Sequence, residues 1–237
     1  MIIHWIIGYF EAQNIRHLNN IVVVGSKFDR KINSSPDAVY PYLLGNVYIG
    51  YVIWRLLFYV SNSQYYRSKL TFLALIDQSL AIFKKIPTKM TARTGNIHGL
   101  LTLVQKIDGE SNCYPSLHVS MAITSFYVLK QIANINSTKT IALENTCIAI
   151  CRSTLETKQH SVICVIGGLA IADQVLHKYF GANVDFNMLQ KIIPELKDAE
   201  AAEIIKILKE NYDLEFLFEK LRDYFALAGN CDDILLG

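Results

Sequence analysis

The chain has 237 residues, of which 51% are apolar and only 19% are charged, and its mean hydropathy is +0.24. Ordinary soluble domains have about one quarter charged residues, so this composition favours an integral membrane protein with polar loops. The five cysteines contain no Cys-x-x-Cys pair, which argues against a zinc site or a disulfide framework.

The net charge of +2 hides an uneven distribution along the chain. Residues 1–180 contain 17 basic and 9 acidic residues, whereas residues 181–237 contain 6 basic and 12 acidic residues. Regions of opposite charge suggest different surroundings. We therefore predict a membrane-embedded domain over residues 1–180 and an acidic helical tail over residues 181–237.

The first part of the chain contains one strong candidate for a membrane span. Residues 1–13 are predicted to form a short apolar helix and residues 14–37 a polar loop. The next 23 residues, 38–60, include a single charge, Arg55. That length suits a membrane helix, and the tyrosines and tryptophan within it are typical of bilayer interfaces. A buried core helix is the alternative.

The middle of the chain is predicted to contain a weaker span over residues 68–85 and a long polar loop over residues 86–114. Glu144 lies within a later apolar stretch, so we expect that helix to pack against protein rather than lipid. The three apolar helices predicted after the loop cover residues 115–134, 139–152 and 158–180.

From Phe186 onward the pattern changes to an amphipathic one. In "DAEAAEIIKILKENY" apolar residues recur at helical spacing between charges, and Gly229-Asn230 reads as a helix stop. Two or three helices are predicted here. They suit packing against the rest of the chain or docking of a protein partner.

Two histidines stand where a loop is predicted to become an apolar helix. His118 lies in "CYPSLHVSMA" and His160 in "TKQHSVICV". Each follows a polar residue by two positions, Ser116 in one case and Lys158 in the other. Such a pair suits phosphoryl transfer, because one imidazole can attack phosphorus and the other can protonate the leaving oxygen. Amides at helix N-termini can hold the phosphate oxygens.

These two stretches resemble the type-2 phosphatidic acid phosphatase superfamily. "YPSLHVSMA" is similar to its second signature, Pro-Ser-x-His, and "STLETKQHSVICVIGG" is similar to its third, Ser-Arg-x5-His-x3-Asp, with Ser153 seven residues before His160. The Pro-Ser-Leu-His-Val and Lys-Gln-His forms resemble the inositol-phosphorylceramide-synthase-like branch. The resemblance is specific over residues 113–170 and does not reach the tail.

The resemblance implies an all-α, six-helix membrane bundle with its active site on the extracytoplasmic face. It implies a lipid-linked phosphate as substrate and no metal or other cofactor. His160 would be the nucleophile and His118 the general acid. Ser116 and nearby amides, together with Ser153 of the third signature, would contact phosphate oxygens.

The first signature, Lys-x6-Arg-Pro, is altered in this chain. "KKIPTKMTART" has a gap between Lys85 and Arg93 that is one residue too long, and Thr94 replaces the proline. The related Pro-Thr…Arg form of the synthase-like branch favours Arg93 as the phosphate ligand, with Lys89 assisting. A basic loop at a lipid surface is the alternative.

The third signature departs at two positions. Thr154 replaces the arginine, and a hydroxyl cannot reproduce a bidentate guanidinium, so Lys158 would supply the charge. Cys164 replaces the aspartate that orients the nucleophile, and a thiol is a weak acceptor. Glu156, four residues before His160, could serve as the orienting acid instead.

These features leave two hypotheses of different classes. The chain is either a membrane phosphatase or phosphotransferase with a phosphohistidine intermediate, or a catalytically impaired relative that keeps the fold and the lipid-phosphate pocket. A soluble haloperoxidase-like or acid-phosphatase-like enzyme is a third reading. For catalysis we expect the two imidazoles to lie about 5 to 8 Å apart, across one phosphoryl group.

Overall fold

The computed structural model describes residues 21–90, 99–108, 111–132, 136–210 and 213–227. The predicted helix at residues 1–13 lies outside these ranges. The described part is predominantly helical, as predicted, with one small parallel sheet in which β1 pairs with β2. The elements in chain order are β1 (Val22–Val24), α1 (Lys27–Lys31), α2 (Val39–Phe58), α3 (Asn62–Lys85), β2 (Thr88–Met90), α4 (Leu100–Asp108), α5 (Leu117–Ile132), α6 (Ser137–Glu156), α7 (Val162–Phe180), α8 (Met188–Ile192), α9 (Asp198–Glu210) and α10 (Leu214–Leu227).

Capping side chains or turn-forming residues in the sequence mark the starts of the five long helices. Ser61 caps α3 in a capping box with Gln64, and Ser161 caps α7 by accepting from the amide of Cys164. Gly181 ends α7 in the left-handed conformation, with φ of 62°, which glycine adopts without steric cost. The apolar patterns located four of these helices to within four residues at each end, whereas α3 begins at Asn62, six residues before the predicted start at residue 68.

Two stretches predicted as loops contain regular structure. Residues 14–37 include β1 and α1, and residues 86–114 include β2 and α4. The strands have three residues each, and β1 and α1 are too short for a periodic pattern to develop. The parallel pairing of Val22 with Thr88 joins these two segments across the chain.

Helices α5 and α7 form the centre of the molecule and approach closely at two glycines. A Cβ atom added at Gly168 would lie 2.8 Å from the backbone oxygen of Ser116, and one added at Gly167 would lie 2.3 Å from the ring of Tyr114. Only a residue without a side chain permits this approach. The close contact sets the distance between the two histidine-bearing segments.

The described part of the acidic tail packs into the same hydrophobic core as the helices that precede it. Phe218, Leu221 and Phe225 of α10 are buried in the cluster that contains α5, α6 and α7. The ring of Tyr114 lies 4.6 Å from that of Phe218, and its hydroxyl donates to the carbonyl of Leu214 at 2.9 Å. The tail therefore contacts the Pro-Ser-Leu-His segment directly.

Glu144 on α6 pairs with Lys191 of the tail at 2.6 Å. Glu144 of this helix therefore contacts α8 of the tail. Lys85 and Glu215 form a further ion pair between α3 and the tail.

One helix of the described chain, Val162–Phe180, is long and apolar enough to cross a membrane, with a mean hydropathy of 1.3. It is the central helix, and 78% of its apolar window is buried in the protein, as in the core helix of many proteins. One candidate is too few to establish a six-helix membrane bundle. The predicted span at residues 38–60 is helical over Val39–Phe58 but is less apolar than a membrane-spanning helix.

Helix α2 nevertheless exposes a continuous apolar face. Its exposed side chains recur every three or four residues along one side of the helix, and the opposite side is buried against the core. Phe58 is 70% exposed and Trp54 is 44% exposed. The face, hereafter the α2 apolar face, comprises Tyr40, Leu44, Val47, Tyr51, Trp54 and Phe58.

Candidate functional site

The two histidines lie together where α5 and α7 begin. His118 is the second residue of α5, and His160 lies two residues before α7. Their ring centroids are 6.2 Å apart, within the separation of about 5 to 8 Å expected for phosphoryl transfer. His160 is buried, and His118 is partly exposed. The fold therefore brings together the two residues on which the sequence interpretation depends.

The orientation of His160 is set by a backbone carbonyl. Its Nδ1 lies 3.0 Å from the carbonyl oxygen of Cys113, and a carbonyl can only accept, so Nδ1 carries the proton. A proton fixed on Nδ1 leaves the lone pair of the neutral ring on Nε2. This is the tautomer that a nucleophilic histidine needs, and it is obtained without the missing aspartate.

The orientation of His118 depends on two side chains from other helices. Its Nδ1 lies 3.3 Å from the hydroxyl oxygen of Tyr42, and the two rings are in contact with centroids 4.4 Å apart and planes tilted by 31°. The Tyr42 hydroxyl in turn donates to the carboxylate of Asp108. An acid at the end of α4 thus reaches the histidine through a tyrosine of α2.

The side chain of Cys164 lies against Ser161, the residue that caps α7. Its sulfur lies 3.2 Å from the hydroxyl of Ser161. Its carbonyl accepts from the amide of Ser116 at 2.9 Å, and this bond links the two signature segments. Position 164 therefore contributes to the site through its backbone.

The N-terminal segment around α1 holds the loop that carries His160. Lys158 adopts a left-handed conformation with φ of 57°, and its ammonium donates to the carbonyls of Asp29 and Ile32 at 2.8 and 2.6 Å. Asp29 accepts from the amide of Val162 at 2.7 Å. Burial raises the pKa of the Asp29 carboxyl, and hydrogen bonds from Val162 and Ser26 oppose that shift.

The sequence interpretation placed Lys158 at the phosphate. In the structure its ammonium instead connects the loop of His160 to the α1 segment, and this connection through Lys158 and Asp29 is hereafter called the tether. Two of its three N–H groups are engaged by backbone carbonyls, since the left-handed turn directs the side chain toward α1. A lysine in this conformation is unusual. Its contacts show what holds it there.

Ser116 and Ser153 are fully buried and already bonded within the protein. The Ser116 hydroxyl accepts from the amide of Val119 at 3.4 Å, as a helix cap does. The Ser153 hydroxyl donates to the carbonyl of Ile150 at 2.6 Å. In the structure these two residues shape the backbone around the histidines.

Glu156 lies on the Arg152 guanidinium and not on the imidazole of His160. Its carboxylate accepts from Nε of Arg152 at 2.8 Å, while Glu195 of the tail takes the other edge of the same guanidinium at 2.7 and 2.5 Å. The expected role of Glu156 as orienting acid is therefore replaced by that of the Cys113 carbonyl. The hydrogen bond from Arg152 lowers the pKa of Glu195 below its ordinary 4.5.

The basic segment of the altered first signature lies beside the Pro-Ser-Leu-His turn. The Thr88 hydroxyl accepts from the amides of Cys113 and Tyr114 at 3.0 and 2.9 Å. Lys89 follows in β2. Its side chain is exposed, and its backbone forms an isolated antiparallel β-bridge with Ser111. Arg93 lies outside the described residues.

Sequence reasoning missed Tyr42, Asp108 and Asp29. Tyr42 is one of several tyrosines in an apolar helix, and Asp108 is one acid in a polar stretch, so neither has a spacing signature. Asp29 carried a readable signal, because Ser26 and Asp29 form a capping box. The pattern predicts a helix start but not the contact with Val162.

No protein-family model, no curated protein and no solved structure matches this chain.

Proposed function

We propose that the chain is a membrane-associated phosphatase or phosphotransferase that acts on a lipid-linked phosphate through a phosphohistidine. The observation that carries the proposal is the pair of imidazoles, 6.2 Å apart, with each Nδ1 on an acceptor. In this arrangement Nδ1 carries a proton on each ring, so the proposed chemistry takes place at Nε2. The resemblance in the two signature segments points to the same reaction.

In the proposed reaction, Nε2 of His160 attacks phosphorus and His118 donates a proton to the leaving oxygen. The N–P bond forms as the P–O bond to the lipid breaks. A water or alcohol then attacks the phosphohistidine and returns its proton to His118. Phosphatase and phosphotransferase differ only in this second acceptor, and Lys89 and Arg93 are the proposed phosphate ligands.

The impaired relative is a second candidate, and a specific observation favours it. Donors expected at the phosphate are already engaged: the amide of Ser116 bonds Cys164, the hydroxyl of Ser153 bonds Ile150, and Lys158 bonds two carbonyls. A phosphoryl group would then depend on the basic segment. Such a protein would bind a lipid phosphate without turning it over.

Phosphate release and head-group transfer measured over a panel of lipid phosphates separate the two candidates. We expect the parent protein to release phosphate and both His118→Ala and His160→Ala to lose at least about 10²-fold in rate. His177→Ala is the control, since that exposed histidine lies in the last turn of α7. Parent activity equal to that of His160→Ala would favour the impaired relative.

The α2 apolar face and the resemblance both support membrane association, and the resemblance implies a site on the extracytoplasmic side. A continuous exposed apolar surface marks a membrane or protein contact, and the aromatic residues on this face suit the bilayer interface. Arg55 stacks on Tyr59 at the end of the helix, 4.8 Å from the ring centroid. That places a cation beside the aromatic residues, as at a headgroup layer.

Fluorescence quenching by brominated phosphatidylcholine tests the membrane contact. The chain has two tryptophans, so the Trp5→Phe variant reports on Trp54 alone. We expect brominated lipids in reconstituted vesicles to quench Trp54 strongly. Emission from Trp54 that is unchanged by brominated lipid would show that the α2 apolar face does not contact the bilayer.

A further inference from the structure

We infer that Asp108 and Tyr42 are positioning residues that hold a proton on Nδ1 of His118 and so commit His118 to the general-acid role. The inference rests on the proposed function and adds residues that the signatures do not contain. Asp108 ends α4 and Tyr42 lies in α2, so neither belongs to the signature segments that carry the histidines.

The direction of the hydrogen bonds follows from proton counting. A tyrosine hydroxyl has one proton, and Tyr42 donates it to the carboxylate of Asp108. Its oxygen is then an acceptor toward Nδ1 of His118, 3.3 Å away. Nδ1 must therefore carry a proton, and the ring exchanges its other proton at Nε2.

The position of Asp108 supports a role beyond packing. It is the last residue of α4, where the helix dipole disfavours a negative charge. Its carboxylate is nevertheless turned toward a tyrosine in another helix. Burial lowers the pKa of the His118 imidazole, and the charge of Asp108 opposes that shift. The carboxylate therefore favours the doubly protonated ring, which is the form able to donate from Nε2.

The acceptors at Nδ1 differ between the two histidines and so favour different roles for the two rings. His160 has a neutral carbonyl on Nδ1, which fixes the tautomer but adds no charge. His118 is connected through the Tyr42 hydroxyl to an anion, the carboxylate of Asp108. When the P–O bond breaks, Nε2 of His118 loses its proton to the leaving oxygen and the ring becomes neutral, with Nδ1 still bonded to Tyr42. Attack by water on the phosphohistidine restores that proton.

Nitrogen-15 NMR of the imidazole rings in the full-length protein, in detergent, tests the proton position without requiring turnover. The six histidines are labelled, and His118→Gln identifies the His118 signals. We expect Nδ1 of His118 to be protonated in the parent and the neutral ring to shift toward the Nε2–H form in Tyr42→Phe and Asp108→Asn. Tyr48→Phe is the matched control, because that hydroxyl is buried on the same helix without a partner among the described residues. An unchanged Nδ1 in both variants would overturn the inference.

Leaving-group dependence tests the acid role separately. We expect Tyr42→Phe and Asp108→Asn to lose about 10- to 100-fold in kcat on an alkyl phosphate and less than about threefold on p-nitrophenyl phosphate, whose leaving group needs little protonation. Equal losses on both substrates would mean that the pair serves only structure. An inactive parent would refute the proposed function, and the NMR result would then still decide the proton position.

Discussion

The surroundings of His118 and His160 differ in how each ring is held. His118 depends on side chains from two distant helices, Tyr42 and Asp108, whereas His160 depends on the backbone carbonyl of Cys113. The first arrangement is charged and can be removed by substitution. The second is neutral and remains whatever side chain stands at position 113. The imidazole of His160 is therefore oriented although position 164 carries a cysteine and not an aspartate.

The same contrast extends to the segments that carry the rings. His118 lies in α5, which is rigidly packed at Gly168 of α7. His160 lies in a loop that α1 holds through Asp29 and Lys158. Substitutions at the helix contact should thus shift α5 and His118 against α7, whereas substitutions in the tether, at Lys158 or Asp29, should displace the loop that carries His160.

Cys164→Asp places near His160 a carboxylate like that of the signature which this segment resembles, and so removes the contrast with His118. We expect it to lower the free energy of unfolding by about 4 kcal/mol, because position 164 is fully buried and an added charge there is costly. We expect no increase in phosphate release, since Nδ1 already has an acceptor. Denaturant unfolding and the release assay measure both effects.

Cys164→Ala is the control for loss of the thiol, and we expect it to be close to the parent in both measurements. A rise in release of tenfold or more in Cys164→Asp would contradict the role given to the Cys113 carbonyl. It would show that His160 lacked an effective acceptor.

Gly168→Ala tests the close contact between α7 and the segment that carries His118. The added methyl group would lie 2.8 Å from the oxygen of Ser116, so we expect a loss of up to about 3 kcal/mol in unfolding free energy from overpacking. Gly50→Ala on α2 is the matched control, because a Cβ there meets nothing within 4 Å, and it should stabilise by about 0.5 to 1 kcal/mol. Equal effects of the two variants would refute the close helix contact.

Lys158→Met tests the contact between the loop of His160 and the α1 segment. It leaves the carbonyls of Asp29 and Ile32 without their donor, and we expect a loss of about 2 kcal/mol in unfolding free energy. Lys209→Met, at an exposed lysine of α9, should change it little. If Lys158 instead binds phosphate, stability would be preserved while the KM for the lipid phosphate rose.

Glu195→Gln and Glu156→Gln form a matched pair on Arg152. We expect losses of about 1 and about 0.5 kcal/mol in unfolding free energy, because Glu195 pairs through two bonds and Glu156 through one. Neither variant should change phosphate release. A drop in release in Glu156→Gln alone would restore it as the orienting acid of His160.

The contribution of Glu195 should also depend on pH. Arg152 lowers the pKa of the folded carboxyl below 4.5, so the stabilisation is present above that pH and is lost as the pH falls through the lowered value. Thermal unfolding of the parent and of Glu195→Gln should therefore converge in acid. A difference that persisted at low pH would point to packing rather than charge.

The sequence predicted the long helices and the pairing of the two histidines, because apolar periodicity and local motifs carry that information. It did not predict the Tyr42–Asp108–His118 chain, whose members are 66 and 76 residues apart and meet only through tertiary packing. It also misplaced Lys158 and Glu156, because spacing along a helix shows which residues share a face but not which neighbours α1 and the tail supply. The Cys113 carbonyl could not be predicted, since backbone acceptors leave no residue signature.

Trapping of a phosphorylated form of the protein tests the proposed roles of the two histidines most directly. The parent, His118→Ala and His160→Ala are mixed with p-nitrophenyl phosphate labelled with phosphorus-32, quenched in base to preserve phosphohistidine, and mapped by peptide. We expect label on the peptide that contains His160, absent in His160→Ala and accumulated in His118→Ala, where the acceptor water lacks its base. Label on the His118 peptide, or label that persists in His160→Ala, would contradict the assignment of His160 as nucleophile.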